Sequence, residues 1–247
     1  MKGVYPILTG VLMALGSLTL GAAPGLAFCP VPNPPRVCTE FFRANAVFVG
    51  TVVYVTQKPG GDDFIEGWTY ELKVKKKYKG IDKSIVEVFS SNDSARLPLR
   101  LGHTYLLFPE TNDDGILQIY GCGNSDELPK ANAAIRQIRH LIKHKSKKGS
   151  AGDIGGQVNT TYDYETGTPV EYFAGIIVTA RAGKDSYRSM TDKYGSFHIR
   201  VPAGRYTVET SSSEWEVTPV DISYERPDNV EIEDGGCADL AFQARRR

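Results

Sequence analysis

The sequence predicts a mainly β protein: a five-stranded barrel with one packed helix, followed by a seven-stranded β-sandwich. Three observations carry that prediction. Short runs of alternating or β-branched residues recur along most of the chain, separated by Gly, Pro and Asp turn signals. Residues 128–141 break that habit and repeat apolar side chains at helical spacing. The stretch KHKSKKGSAG, residues 143–152, is too charged and too small to bury apolar surface, so a solvated linker at 145–152 divides the chain.

The chain opens with an export signal. Lys2 supplies a positive start, residues 4–21 are uncharged and apolar, and Gly25-Leu26-Ala27 places small residues at the −3 and −1 positions of a signal peptidase site. Gly10, Gly16, Gly21 and Pro24 make the same stretch a poor permanent span. The expectation is therefore that residues 1–27 are removed, that the mature chain is secreted or periplasmic, and that it keeps no membrane span.

After a short helix at 39–45, strands are expected at 46–56, 70–79, 84–90, 103–109 and 116–120. In the second of these, Tyr70, Leu72, Val74 and Tyr78 share one face, and Glu71, Lys73, Lys75, Lys77 and Lys79 share the other, as a period of two requires. The lysines then read as a solvated strand face. Asp114-Gly115 supplies the turn before the last strand. In the helix that follows, Leu128, Ala131, Ala134, Ile135, Ile138 and Leu141 form the apolar stripe, with Arg136, Arg139 and Lys143 outward. Beyond the linker, strands are expected at 153–160, 175–181, 186–191, 196–201, 205–211, 215–222, 229–232 and 238–243. Two reversals stand out there: Asp192-Lys193-Tyr194-Gly195 and Pro202-Ala203-Gly204.

Removing residues 1–27 leaves 28 basic and 29 acidic side chains, but they are unevenly spread. Residues 28–150 hold 18 Lys/Arg against 13 Asp/Glu, or +5, and residues 151–247 hold 10 against 16, or −6. Opposite signs suggest mutual attraction and an anionic partner for the first unit. Cys29, Cys38, Cys122 and Cys237 lack zinc spacing, and an even number in an exported chain reads as two disulfides with three open connectivities.

No catalytic constellation emerges. His140 and His144 lie one helical turn apart without a Glu between them, and nucleophile elbow, phosphate loop and dinucleotide fingerprint are all missing. Neither a cofactor nor a metal is expected, and the lysine face lacks the interleaved aromatics that single-stranded nucleic acid requires. The candidate recognition residues are aromatic: Trp68 near Gly60, Gly61 and Gly67, and Tyr162, Tyr164, Tyr172 and Phe173 around Gly167 and Pro169.

Two family resemblances follow from longer stretches. CTEFFRANAVFVGTVV at 38–53, LGHTYLLF at 101–108 and DGILQIYGC at 114–122 resemble a netrin-like domain of the kind found in tissue inhibitors of metalloproteinases. That resemblance covers 28–144 and implies an OB-type barrel, with Cys29 paired to Cys122 so that the amino terminus is pinned across it. Cys38 and Cys237 are then left to join the two units. In those inhibitors the amine and carbonyl of a first-residue cysteine chelate the protease zinc; here Phe28 precedes Cys29 and the Cys-x-Cys start is missing. The second half, 153–247, resembles a carboxypeptidase regulatory-like, transthyretin-like sandwich through GGQV at 155–158, GIIVTA at 175–180, TDKYGSF at 191–197 and PAGRYT at 202–207. Together the resemblances imply a secreted, non-enzymatic interaction module. Its partner would be an extracellular or periplasmic protein such as a zinc protease, met through Phe28 and Cys29, or alternatively a glycan or the cell envelope, met through the sandwich loops.

Overall fold

In the computed structural model, residues 34–61, 64–145, 149–160, 170–220 and 226–247 are described, and the fold among them is mainly β with two helices. Two long antiparallel strands, β1 (Val47–Pro59) and β2 (Ile65–Lys79), organise the first half. Beside them lie β3 (Ile85–Ser91) and β4 (Thr104–Leu107), with two-residue strands β5 (Glu110–Thr111), β6 (Leu117–Gln118) and β7 (Asp126–Glu127) at the margins. They form one curled, half-barrel sheet in the order β5-β6-β3-β2-β1-β4-β7. Of the five strands the sequence suggested, the run at 116–120 meets β6; β5 and β7 were not expected, because two-residue pieces are too short to show alternation.

Alternation along β1 feeds two cores. Phe48 and Val52 join Tyr70, Leu72, Val88, Leu107 and Ile119 on one face. Val47 and Val49 face the other way, where helices α1 (Val37–Arg43) and α2 (Asn132–Lys145) cover the sheet with Phe41, Ala134, Ile135 and Ile138. Of the β2 residues expected on one face, Tyr70, Leu72 and Val74 pack in the first core, but Tyr78 packs in the second. The reason is a break in register. Gly50 lies opposite Val74 and Val49 opposite Lys76, so Lys75 has no partner, and a second break nearby leaves Tyr78 unopposed. Such bulges re-aim the residues that follow them. Lys76 thereby arrives on the helix-covered face with Val49 instead of the first-core face that strict alternation from Tyr70 would give it.

The second half contains eight strands: β8 (Gly152–Asn159), β9 (Ile177–Ala182), β10 (Asp185–Met190), β11 (Ser196–Val201), β12 (Gly204–Ser211), β13 (Trp215–Pro219), β14 (Val230–Ile232) and β15 (Cys237–Arg246). They make two four-stranded sheets, β10-β9-β12-β14 and β11-β8-β15-β13. Ile154, Val178, Phe197, Val208, Leu240 and Phe242, drawn from both sheets, share a single core. Each strand meets one run read from the sequence, and the count is one above the seven-stranded expectation.

The reversal before β11 closes as its residues dictate. Gly195 has φ +68, its N–H donates to the Asp192 carbonyl at 2.9 Å, and Asp192 Oδ1 accepts from the N–H groups of Tyr194 and Ser196 at 2.8 and 2.9 Å. Buried Thr191 donates its hydroxyl to the Phe173 carbonyl at 2.6 Å and accepts from the Ile176 N–H at 3.0 Å.

Candidate functional site

The described chain begins where its two halves meet. Arg36, just ahead of α1, reaches across to β8 and β15: its N–H donates to Asp239 Oδ2 at 2.8 Å, its Nε to the other Asp239 oxygen, and its terminal nitrogens to Asp153 Oδ1 and, at 2.8 Å, to the Ala238 carbonyl. Asp239 is 1% exposed, and this guanidinium stands beside it in place of water. A Cβ on Gly155 would run into the guanidinium, which explains the missing side chain there. Two residues along, Cys38 forms a disulfide with Cys237 at the start of β15, with Cα atoms 5.8 Å apart. That bond joins the two halves, as expected.

A second anchor holds the same segment to the first-half sheet. Asn124 donates its N–H and side-chain amide to Glu40 Oε2 at 2.6 and 2.7 Å, and the amide also donates to the Pro35 carbonyl at 2.8 Å. Glu40 is 5% exposed, and burial pushes its carboxyl above the ordinary value, against the pull of the Asn124 hydrogen bonds and of Arg43. Gly123 has no room for a Cβ, because the Glu40 carboxylate fills that space. Just before it, Cys122 is buried and disulfide-bonded. Its expected partner Cys29, like Phe28, lies outside the described residues.

The aromatic candidates separate. Trp68 is half-buried, packs against the first core, and has the Arg96 guanidinium 4.2 Å from its ring centroid, so it is held rather than free. Tyr172 is 48% exposed, whereas its neighbour Phe173 is buried and lies 4.5 Å from the ring of Trp215. Tyr162 and Tyr164 fall outside the described residues. Beside Trp215 opens a cleft of about 470 Å³ lined by Ala174, Ile177, Ser211, Ser213 and Glu214. The sequence did not single out this cleft.

Titratable groups form local pairs. His103 Nδ1 lies 2.6 Å from Glu127, which Arg100 also contacts, and these hydrogen bonds hold the half-buried Glu127 carboxyl below its ordinary value. His198 faces Asp153 at 3.5 Å. Among the described residues, no three His, Cys, Asp or Glu side chains gather as metal ligands do, and no helix is long and apolar enough to cross a membrane.

Sequence reasoning missed Arg36, Asp239, Asp153 and Glu40. One signal was there: Arg36-x-Cys38 and Cys237-x-Asp239 put opposite charges two residues from each half of the disulfide. No protein-family model matches the chain, and no curated protein matches it.

Proposed function

We propose that the chain is an exported, non-enzymatic protein-interaction module. It comprises a netrin-like, OB-type barrel over 28–144 and a carboxypeptidase regulatory-like sandwich over 153–247. The observation that carries this reading is the anchored amino-terminal segment. Arg36, the Cys38–Cys237 disulfide and Asn124 fix residues 35–40 in place, so a partner that meets this segment meets it already ordered. The disulfide suits an oxidising compartment, in line with the export signal.

The partner class suggested by the resemblance is a zinc endopeptidase, met by the mature amino terminus. Intact mass and amino-terminal sequencing of the secreted protein, followed by inhibition assays on a zinc endopeptidase panel, test it. A chain beginning at Cys29 that inhibits at nanomolar concentration supports the protease version. A chain beginning at Phe28 or earlier, without inhibition at micromolar protein, removes it.

A second reading is favoured by the cleft beside Trp215, where serine hydroxyls, the Glu214 carboxylate and an aromatic ring meet, with exposed Tyr172 two residues before lining residue Ala174. Those groups suit a saccharide, whose hydroxyls need acceptors and whose ring faces need an apolar platform. A glycan array on which Tyr172→Ala and Trp215→Ala leave every signal unchanged would remove this reading.

A further inference from the structure

Between β1, β2 and α2 runs an open groove of about 490 Å³. Its floor is apolar: Val49 and Ile135 are buried there, with Leu128 and Tyr78 partly so. Its rim is cationic, formed by Lys76, Arg136 and Arg139. These three reach the groove from two distant parts of the chain. The unpaired Lys75 turns Lys76 onto the helix-covered face, and the spacing of Arg136 and Arg139 stacks them one turn apart on α2.

The charges on that rim are uncompensated. All three side chains are exposed, and among the described residues no ion pair or side-chain hydrogen bond engages any of them. No acidic residue lines the groove, and α2 (NAAIRQIRHLIKHK) contains neither Asp nor Glu, so neither Arg has a partner on its own helix. Elsewhere, by contrast, Arg36, Arg43, Arg100, Arg181 and Arg245 each face a carboxylate.

We infer that this groove is a docking site for an acidic, amphipathic peptide segment of a partner protein. Arginine guanidiniums suit carboxylates because their paired N–H donors match the two oxygens. The apolar floor distinguishes the peptide from a sulfated saccharide, which would satisfy the rim and leave Val49, Leu128 and Ile135 under water. An extended segment with carboxylates flanking a large apolar side chain covers both surfaces together. The site lies on the helix face of the barrel and is independent of the amino-terminal docking proposed above.

The test uses the mature protein and three probes in fluorescence anisotropy at low and physiological salt: a labelled peptide alternating glutamate with leucine, its glutamate–serine counterpart, and a sulfated oligosaccharide. The glutamate–leucine peptide binds, and binding weakens about tenfold in Arg136→Ala/Arg139→Ala and in the glutamate–serine peptide. Lys184→Ala/Arg188→Ala, exposed on the second half and away from the groove, leaves it unchanged. Both double variants alter exposed residues and keep the wild-type circular dichroism and melting temperature. The proposal is overturned if the Arg136/Arg139 variant binds the peptide like the wild type, or if both peptides bind equally. It is overturned too if the sulfated oligosaccharide binds more tightly and displaces the peptide, or if none of the probes binds.

Discussion

Thr191 and Asp192 hold their turn through side-chain hydrogen bonds to backbone groups and Gly195 through its positive φ, and single substitutions test them. A Cβ on Gly195 would meet the Val158 carbonyl and force a non-glycine residue into the left-handed region. Gly195→Ala is therefore expected to lower unfolding free energy by about 2–3 kcal/mol in a urea titration. Thr191→Val keeps the shape but strips two buried backbone groups of their partner, at about 1–3 kcal/mol. Glu40 makes a prediction in pH. Its folded-state pKa is raised, so the fold favours its protonated form. Its favourable contribution is complete below the ordinary value of 4.5 and is lost as pH rises through the higher folded value. Glu40→Gln keeps an acceptor for both Asn124 bonds and removes the titration. Stability curves of the two proteins should therefore diverge with rising pH in favour of the glutamine variant; parallel curves would show that burial does not govern this carboxyl.

The decisive element is the short segment that ends in α1. A seven-residue helix is too short to persist alone, and its place is set by its attachments at both ends. Arg36→Met leaves Asp239 buried beside no cation, which costs about 3–5 kcal/mol. Adding Asp239→Asn should return part of that loss, and a double-mutant cycle by denaturant unfolding measures the coupling. At the same scale β2 shows how one unpaired residue matters. Strict alternation would have sent Lys76 to the face opposite Lys75 and put Tyr78 beside Tyr70, and the register breaks sort them otherwise.

Across the whole molecule, the Cys38–Cys237 bond closes a sequence separation of 199 residues. In the chain-entropy account such a closure stabilises by about 5 kcal/mol. Cys38→Ser/Cys237→Ser should lower the calorimetric midpoint and split one transition into two, because the halves have separate cores joined through the α1–β15 seam. A single transition at an unchanged midpoint would mean that the ion pairs of Arg36 suffice. The opposite charges of the halves, +5 and −6, become concrete at this seam, where a basic residue of the first meets two acids of the second.

Much of this protein was legible in its residues because the governing interactions are local. Alternation at 70–74, the helical stripe from Ala131 to Ile138 and the Asp192–Gly195 turn depend on neighbours within a few positions, and each appears where its residues put it. The sequence also paired Cys38 with Cys237, but only by setting aside the other two cysteines on a resemblance. Only the tertiary structure brought Arg36 to Asp153 and Asp239, seated Glu40 under Asn124, and gathered Lys76 with Arg136 and Arg139 around one groove. Those residues lie tens to hundreds of positions apart. Their meeting depends on strand order, register breaks and helix placement, which result from packing the whole chain at once rather than from the preferences of any single segment.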